Sequence, residues 1–374
     1  MKKLVIAAAV LGAFAGTAQA QSSVTLFGVV DTNVTHINAS GSESGSRTFE
    51  DNSGINSSRI GVRGTEDLGG GLKAGFWLEA GINTNNGSGG TTSTGNGAAS
   101  GSALTGGGGL TFNRRSTVSL IGDKWGEVRV GRDYVPTFWN AANVDPFGYN
   151  GIAEIPDLFG GKGATGATQA RASNGVSYLT PSTLGGFFVQ ATYAIGGNAS
   201  NQNAPGISKN DGDYAGINVG YQNGPIYIGG ASGYTHQAQT VEAGDTHVAN
   251  LGASYDFGFV KPDFFYQSAT INLAPEQITT NVASIGAVVP VGQGEFRFNY
   301  AHASGKDLLD GSHANLFGLG YVYNLSKRTA LYGIYARINN SGDYNFALTQ
   351  YTESTVPAIG QSTSGVSIGL RTSF

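Results

Sequence analysis

The amino-acid sequence predicts an all-β fold, a 16-stranded antiparallel transmembrane β-barrel. Three observations lead to this prediction. The end of the chain alternates apolar and polar side chains, strand-like runs recur with tight turns and long polar stretches between them, and no segment approaches the ~18 consecutive apolar residues of a membrane helix. Without such a helix, a membrane role requires a closed barrel, because an open sheet would leave backbone groups unpaired in lipid.

The C-terminal segment carries the clearest alternation. Every second side chain there is apolar or bears a methyl group, and the side chains between them are small or polar; the first set is Val366, Ile368, Leu370, Thr372 and Phe374. Successive side chains of a strand point to opposite faces, so one face suits lipid and the other suits a polar lumen. From this segment alone, the last strand of a soluble β-sandwich remains the alternative.

The N-terminal residues 1–20 predict a cleaved secretory signal peptide. A basic start, Met1-Lys2-Lys3, precedes an apolar run, and Ala18-Gln19-Ala20 has the small-x-small form of a cleavage site. The mature chain then begins at Gln21, and residues 21–374 form a single barrel domain of 374 − 20 = 354 residues. Loss of the two lysines moves the formal net charge from −4 to −6.

The composition fits a barrel better than a helical protein. Glycine is the commonest residue at 60, the chain has 17 tyrosines and 19 phenylalanines, and it has no cysteine. Aromatic residues suit strands and membrane-interface girdles, and a secreted chain without cysteine depends on sheet closure and packing for its stability. The mean hydropathy of −0.11 is low because lumen-facing residues dilute the apolar face. The acidic excess argues against nucleic acid as a partner.

Sixteen candidate strands follow from the alternation and the turn residues, with short turns at one rim and long polar loops at the other. Their predicted bounds are Val24–Val34, Ser58–Glu66, Leu72–Ala80, Phe112–Ile121, Glu127–Asp133, Ser173–Thr180, Gly186–Ala194, Asp213–Tyr221, Ile226–Tyr234, His247–Asp256, Phe259–Thr270, Thr279–Val289, Glu295–His302, His313–Tyr323, Thr329–Ile338 and Ser362–Phe374.

Three long segments between these strands are predicted as loops. Ser40–Asn56 is polar, and Ala80–Asn113 is largely Gly, Ser, Thr and Asn and carries no charge, which predicts a flexible exposed loop. The third segment, Tyr134–Ala170, is the long connection between the fifth and sixth predicted strands.

No catalytic site, metal site or cofactor site is predicted. The five histidines, His36, His236, His247, His302 and His313, are scattered and lack metal-ligand spacing, so each is interpreted as a rim or loop residue. Gly161–Gly166 matches the glycine pattern of a dinucleotide-binding loop, but it lacks the strand–helix context and is interpreted as a flexible loop.

Arginines on or beside the early strands are the informative charges. Arg59 and Arg63 share one parity of the second strand, and Arg114 and Arg115 open the fourth. Because a charge facing hydrocarbon at the bilayer centre costs about 2–4 kcal/mol, such residues are expected to line the lumen.

Two further arginines flank the third long loop. Arg171 opens the sixth strand. Arg132 ends the fifth strand and falls on the same face as the apolar Val128 and Val130, so its side chain needs a local bend of the strand to face inward. If the loop between them folds into the barrel, its carboxylates Asp145, Glu154 and Asp157 would face the arginines across a narrow gap and set up a transverse field. An ordinary external loop with solvated acids remains the alternative.

The chain resembles the Gram-negative general-diffusion porins, most closely the beta-proteobacterial branch of Bordetella, Burkholderia, Delftia and Neisseria. The resemblance spans the mature chain in order and rests on Ser23-Val24-Thr25-Leu26-Phe27-Gly28-Val29-Val30-Asp31, Ser58–Gly69, Gly126–Asp133, Ser177-Tyr178-Leu179-Thr180-Pro181, Tyr321–Thr329 and the terminal Phe374.

This resemblance implies a homotrimer of 16-stranded barrels, each with an inward-folded third long loop. Ile155–Gly161 resembles the Pro-Glu-Phe-Gly-Gly element of that loop, with Asp157 in place of the glutamate and Leu158 inserted. The basic wall of the constriction maps onto Arg59, Arg132 and Arg171, with Arg114 as an addition of this branch. Phe374 resembles the signal read by the outer-membrane assembly machinery.

The function implied is passive diffusion of small hydrophilic solutes and ions through a water-filled channel in the Gram-negative outer membrane, with a preference for anions and no turnover chemistry. Lipid and lipopolysaccharide of that membrane are the further expected partners. Two alternatives stay open: a substrate-specific channel, which would show saturable flux, and a surface adhesin or antigen, which would show no conductance.

Overall fold

The structure is a computed structural model. It describes residues 23–41, 45–90, 92–93, 96, 104–105, 109–159, 168, 170–197, 208–237, 244–273, 275–348 and 355–374. The predicted signal peptide and the glycine motif at 161–166 lie outside these residues. In the described part of the chain, no helix is long and apolar enough to cross a membrane.

The described residues form strands almost throughout. The strands are β1 (Ser23–Ala39), β2 (Ser46–Asn52), β3 (Arg59–Gly69), β4 (Leu72–Gly81), β5 (Thr92–Ser93), β6 (Leu104–Thr105), β7 (Arg115–Gly122), β8 (Gly126–Tyr134), β9 (Arg171–Leu179), β10 (Phe187–Ala194), β11 (Tyr214–Asn223), β12 (Ile226–Thr235), β13 (Asp245–Tyr255), β14 (Lys261–Asn272), β15 (Gln277–Val291), β16 (Gly294–Asp307), β17 (His313–Asn324), β18 (Thr329–Ser341) and β19 (Thr363–Ser373). One α-helix, α1 (Pro136–Ala142), and one 3-10 helix, η1 (Ile155–Phe159), lie between β8 and β9.

The sheet closes on itself, and the predicted barrel of 16 antiparallel strands is confirmed. From β7 to β19 each strand pairs with the next along the chain, β4 pairs with both β3 and β7, and β1 pairs with the last strand, β19, from Val29↔Ser373 to Ala39↔Thr363. The first part of β1 pairs with β3 and its second part pairs with β2, so β2 and β3 are two halves of one barrel strand. Strands β5 and β6 pair with each other in a separate two-stranded sheet, so the barrel sheet holds 17 strands, and counting β2 and β3 together gives 16.

The prediction for the region after the first strand was wrong in part. The interpretation of Ser40–Asn56 as a loop missed β2, and β1 continues past the predicted end at Val34 to Ala39. The polar residues do not break the strand, because β2 pairs with β1 through its backbone. The break at 53–58 has its own cause: backbone N–H groups of Gly54, Ile55 and Asn56 donate to the buried carboxylate of Asp31.

The two faces of the wall differ as the alternation predicts. In β19, Val366, Ile368 and Leu370 are exposed on the outward face, whereas Ser367 is buried on the inward face. Burying such apolar outward residues against lipid is favourable by about 25 cal/mol per Å², and hydrogen bonds between neighbouring strands satisfy the backbone groups that lipid cannot.

Parts of the connection between β8 and β9 contact other strands of the barrel. Helix α1 begins at Pro136, whose fixed φ suits the first helical position. It contacts β10–β13, and η1 contacts β15–β17. Inward glycines provide the room: a Cβ at Gly252 would lie 2.7 Å from Val144, and one at Gly318 would lie 2.7 Å from Ala153.

The apolar core lies under this connection rather than between two sheets. Four of its side chains, Phe147, Ile152, Ile155 and Leu158, are fully buried. The connection is also tied by polar contacts, since Asn299 Nδ2 donates to Ala153 O at 3.2 Å. These contacts tie the connection to strands β10–β13 and β15–β17.

Candidate functional site

A cavity of ≈ 540 Å³ lies between the connection and strands β3, β4 and β7. Its charged lining consists of four arginines and two carboxylates, which gives +4 − 2 = +2; these residues are Arg59, Arg114, Arg115, Arg297, Glu79 and Asp145. Four of these side chains lie on strands, Arg114 directly precedes β7 and Asp145 belongs to the connection, and together they give the cavity an excess of positive charge.

Arg59 and Arg114 meet at Glu79. Arg114 Nε donates to Glu79 Oε1 at 2.6 Å, and Arg59 Nε lies 3.8 Å from the same oxygen. Trp77 Nε1 also lies 3.2 Å from Glu79 Oε2. The carboxylate, only 5 % exposed, thus holds the two guanidinium groups on one side of the cavity.

Tyr134 connects Arg114 with Arg171. Its hydroxyl oxygen accepts from Arg114 Nη2 at 2.5 Å and from Arg171 Nη2 at 2.9 Å. The Arg171 guanidinium also lies 4.3 Å from the centre of the tyrosine ring, a cation–π distance. Tyr134 lines the cavity and Arg171 does not. Arg171 is therefore connected to the cavity lining through Tyr134.

Arg132 lies at a break in the regular alternation of β8, as an inward direction of its side chain requires. The register of β8 with β9 shifts between Gly131 and Asp133, and Gly131 adopts φ 128°. A β-bulge of this kind re-aims the side chain beside it. Arg132 Nε donates to Asn113 O at 2.6 Å and Nη1 donates to Ser173 Oγ at 2.7 Å.

A stack of cations and aromatic rings continues the arginine cluster along the wall. The guanidinium of Arg63 lies 4.8 Å from the ring centre of Trp77, and that of Arg115 lies 4.5 Å from it. Phe27 packs edge-on to Trp77, with ring centres 5.1 Å apart. Sequence reasoning placed Arg63 and Arg115 near the lumen but gave no role to Trp77 or Glu79. The alternation of β4 put both side chains on the polar face, which is the signal that could have found them.

A second group of charges lies next to this stack. Arg129 Nη1 donates to Asp133 Oδ2 at 2.5 Å, Arg129 Nε donates to Glu127 Oε1 at 2.8 Å, and Arg115 Nε lies 3.6 Å from Asp133 Oδ2. Arg115 and Arg129 both line a neighbouring cavity of ≈ 380 Å³. The basic surface therefore extends past the first cavity.

The three predicted carboxylates of the connection differ in position. Asp145 lines the cavity, and its oxygens accept backbone N–H groups of Phe147 at 2.9 Å, Tyr149 at 3.1 Å and Ile155 at 3.4 Å. Burial raises the pKa of Asp145 to about 6, although these hydrogen bonds and Arg297 act in the opposite direction.

The other two carboxylates are more deeply placed. Glu154 is 2 % exposed and Asp157 is 1 % exposed, and neither is among the residues lining the cavity. Their role as charges facing the arginines stays a prediction. Arg297, which sequence reasoning did not single out, lines the cavity and bonds Glu295 at 2.6 Å.

The terminal residue lies at the seam of the barrel. Phe374 N donates to Gly28 O and Gly28 N donates to Phe374 O, both at 3.1 Å. A Cβ at Gly28 would lie 2.3 Å from the Phe374 ring, so only glycine leaves room for the ring there. Among the residues that the structure describes, no group of three or more His, Asp or Glu side chains could hold a metal ion.

The closed wall, apolar outside and charged inside around a cavity, has the architecture of a transmembrane channel protein. The sequence profile of the Gram-negative porins matches residues 7–343, and the chain belongs to this family. It is 40% identical over 382 residues to outer membrane porin protein 32 of Delftia acidovorans, covering 100% of both chains. It is 32% identical over 412 residues to an outer membrane porin protein of Bordetella pertussis, covering 96% of this chain and 99% of that one.

Solved structures agree with this assignment. The anion-selective porin from Comamonas acidovorans matches with a TM-score of 0.80 and 38% identity, covering 95% of this chain and 100% of that chain. OmpT of Vibrio cholerae, in a trimer form, matches with a TM-score of 0.66 at 13% identity over 94% of this chain and 99% of that chain, which shows the shared fold. The protein is therefore an integral porin of the outer membrane of a Gram-negative bacterium, through which small solutes and ions diffuse.

Proposed function

We propose that the channel is anion-preferring, that the connection between β8 and β9 folds inward and narrows it, and that Arg59, Arg114, Arg132 and Arg171 form the basic wall of that constriction. The observation that carries this proposal is the excess of +4 over −2 among the charged residues lining the cavity. An ion in a narrow, low-dielectric passage responds to the local charges more than to the net charge of the whole protein. The acidic overall charge is then no obstacle to anion passage.

The opposite side of the constriction is assigned to the connection. The contacts of α1 with β10–β13 and of η1 with β15–β17 support an inward fold, because those strands lie across the barrel from β3. Asp145 is the carboxylate of the connection that lines the cavity together with the arginines, and Glu154 and Asp157 are assigned to the same acidic side. The solved anion-selective relative from Comamonas supports the direction of the preference.

Reversal potentials in a planar bilayer test this proposal. Combined replacement Arg59→Gln, Arg132→Gln and Arg171→Gln should shift the reversal potential in a salt gradient toward cation preference while the barrel still folds. The matched control, Lys124→Gln with Lys327→Gln and Arg328→Gln, removes three charges from exposed turns at the rim with the short turns and should leave the reversal potential unchanged. An unmoved potential in the first variant, with native gel mobility, would contradict the assignment of the basic wall.

A homotrimer is proposed as the assembly. In β9–β18, twelve strand aromatics are exposed: Tyr178, Phe187, Tyr193, Tyr234, Tyr255, Phe264, Tyr266, Phe296, Tyr300, Phe317, Tyr323 and Tyr335. Across β19, β1–β4, β7 and β8, Phe76 is the one exposed strand aromatic among the described side chains, and Val, Leu and Ile make up the apolar outward surface. Aromatic girdles mark contact with the lipid interface, so the arc without a girdle suits contact with other copies of the chain.

The remaining expectations belong to the same proposal. Residues 1–20 are removed as a signal peptide, residues 21–374 form the barrel, and Phe374 is read by the outer-membrane assembly machinery. The intact mass of the protein extracted from outer membranes tests the first point: a chain beginning at Gln21 is expected. Transport without turnover chemistry, with no cofactor, is the function proposed for the whole chain.

A solute-specific channel is the second candidate, and one observation favours it. Five aromatic side chains line the cavity with the arginines: Trp77, Tyr134, Phe138, Trp139 and Tyr149. Tyr134 and Phe138 are stacked, with ring centres 4.8 Å apart. Flux measured against solute concentration separates the candidates, because a binding channel saturates and a general-diffusion channel stays linear.

A further inference from the structure

Residues 53–58, which interrupt the barrel strand between β2 and β3, form the strand-break turn. The turn is held from behind by Asp31, which is fully buried in β1. The Asp31 carboxylate accepts the backbone N–H groups of Gly54 at 3.1 Å, Ile55 at 3.0 Å and Asn56 at 2.8 Å. These bonds fix the backbone of the turn, because a buried N–H group that lost its acceptor would have no water to replace it.

Tyr332 reaches the same carboxylate from β18, two strands away from β1 around the wall. Its hydroxyl donates to Asp31 Oδ1, and its side chain is buried. Two glycines leave room for it, since a Cβ at Gly54 or at Gly369 would lie 2.2 Å from the Tyr332 hydroxyl oxygen. The turn, the carboxylate and the tyrosine therefore form one packed unit.

The other side of the strand-break turn faces the channel. Ile55, Asn56 and Ser57 line the cavity of ≈ 540 Å³. Arg59 Nη1 donates to Asn56 Oδ1 and to Ser57 O, both at 2.8 Å, and these bonds use both N–H groups of that nitrogen. The turn therefore sets the direction of the guanidinium, whose Nε stays 3.8 Å from the carboxylate of Glu79.

The strand-break turn also contacts the connection between β8 and β9. Ser57 Oγ donates to Asn150 Oδ1 at 2.6 Å. A Cβ at Gly151 would lie 2.1 Å from Gly54 O, so the backbones of the two segments touch, and Gly151 adopts φ 73°, where glycine is favoured. The turn is thus fastened between the connection and the buried Asp31.

We propose that Asp31 and Tyr332 are positioning residues for ion selectivity, which hold the Arg59 guanidinium in the channel by means of the strand-break turn. This inference rests on the proposed function, in which Arg59 belongs to the basic wall. Among the described residues that line the cavity, neither Asp31 nor Tyr332 is found, so both act through Arg59. If the turn shifts, Arg59 loses two acceptors and can close on Glu79, and a close ion pair weakens the positive field that a passing ion meets.

A double-mutant cycle of Tyr332→Phe and Arg59→Gln, read as the reversal potential in a salt gradient across a planar bilayer, tests this role. Tyr332→Phe should shift the potential toward cation preference, in the direction of Arg59→Gln but by less. In the Arg59→Gln background it should cause no further shift, because residues that act through one contact are not additive. The matched control, Tyr344→Phe, removes the hydroxyl of another buried tyrosine, which bonds Thr280 at 3.3 Å, and should leave the potential unchanged.

Asp31→Asn provides a second, nearly isosteric variant at the other end of the same hydrogen bond. Removal of the carboxylate can act on the ions directly, but that effect is common to both backgrounds. It cancels when the shift measured in Arg59→Gln is subtracted from the shift measured in the parent. The remainder should lie toward cation preference. Heat-dependent mobility on gels checks that each variant has folded.

The outcomes separate this inference from the proposed function. If Arg59→Gln shifts the potential while folded Tyr332→Phe does not, and Asp31→Asn leaves no remainder, the positioning role is overturned and the basic wall stands. Equal shifts of Tyr332→Phe in both backgrounds would show an effect that bypasses Arg59 and would also overturn the role. An unmoved potential in folded Arg59→Gln would instead remove Arg59 from the basic wall.

Discussion

Glu79 is the residue that offsets the arginines of the cavity most directly, since it contacts both Arg59 and Arg114. Glu79→Gln should raise the charge of the cavity lining from +2 to +3 and shift the reversal potential further toward anion preference. Arg59 and Arg114 retain exposures of 24% and 11%, so lumen water can solvate them and the barrel should still fold.

A planar-bilayer measurement in a salt gradient checks this expectation. Asp123→Asn is the matched control, because Asp123 is a carboxylate that pairs with Lys73 in an exposed turn outside the cavity. A shift toward cations in Glu79→Gln, or no shift in a natively migrating protein, would show that Glu79 does not act on the permeating ion.

Asp145 predicts a pH dependence of selectivity. Burial raises its pKa to about 6, so it carries a negative charge at pH 7 and is largely neutral at pH 5. Anion preference should therefore increase as the pH falls from about 7 to 5. The sign for stability follows from the same shift: the stabilisation is fully present below the ordinary pKa of 3.8 and is lost as the pH rises through about 6, because the buried site disfavours the ionised form.

The reversal potential recorded at several pH values checks the role of Asp145. Asp145→Asn should abolish the change centred near pH 6, whereas Asp310→Asn, at the rim, should keep it. Asp263 and Tyr149 also interact electrostatically with Asp145, so the comparison with Asp145→Asn is what assigns the change. A full pH response in Asp145→Asn would place the titrating group elsewhere.

At the scale of elements, the connection between β8 and β9 contacts small residues of the strands against which it packs. A Cβ at Gly252 would meet only the side chain of Val144, at 2.7 and 3.1 Å among its nearest atoms, with no backbone atom of the wall among them. Gly252→Val should therefore displace the connection while leaving the β12–β14 ladder intact. We expect a larger single-channel conductance and passage of larger sugars in liposome swelling.

Gly230→Val is the control for this change. Gly230 pairs with Leu251 in the next strand and its nearest side-chain neighbour is that outward leucine, at 3.0 Å. The control adds the same volume to the outward face and should leave conductance and the size limit unchanged. Equal conductance in both variants would show that the connection does not limit the channel.

At the scale of the whole molecule, the arc without an aromatic girdle predicts where the copies of the chain meet. Val118, 66% exposed in the single chain, lies in this arc, and Ile228, 55% exposed, lies among the girdled strands. Val118→Lys should convert trimers to monomers in size-exclusion chromatography with light scattering. Ile228→Lys should leave trimers intact and cost about 2–4 kcal/mol of stability in a bilayer. Trimers retained in Val118→Lys and lost in Ile228→Lys would reverse the assignment.

Much of the fold follows from local pattern alone. The strands from Leu72 to Ala80 and from Glu295 to His302 alternate so clearly that their faces could be assigned without coordinates, and β4 and β16 carry the predicted faces. The same pattern missed β2, because its sequence is almost wholly polar and has no apolar face to reveal it. The alternation along the strand also could not predict the direction of the Arg132 side chain, since the bulge at Gly131 depends on pairing with β9.

The sequence by itself determined the barrel, its strand number, its short and long rims, and the arginines that lie on inward parities, because side-chain alternation has a period of two and needs only neighbours along the chain. Tertiary structure decided which charges meet. Glu79 contacts Arg59 and Arg114, and Tyr134 contacts Arg114 and Arg171. Asp145 accepts backbone N–H groups of the connection to which it belongs. These contacts join residues on different strands or across turns of a long loop, and their distances are set by the register and closure of the whole barrel.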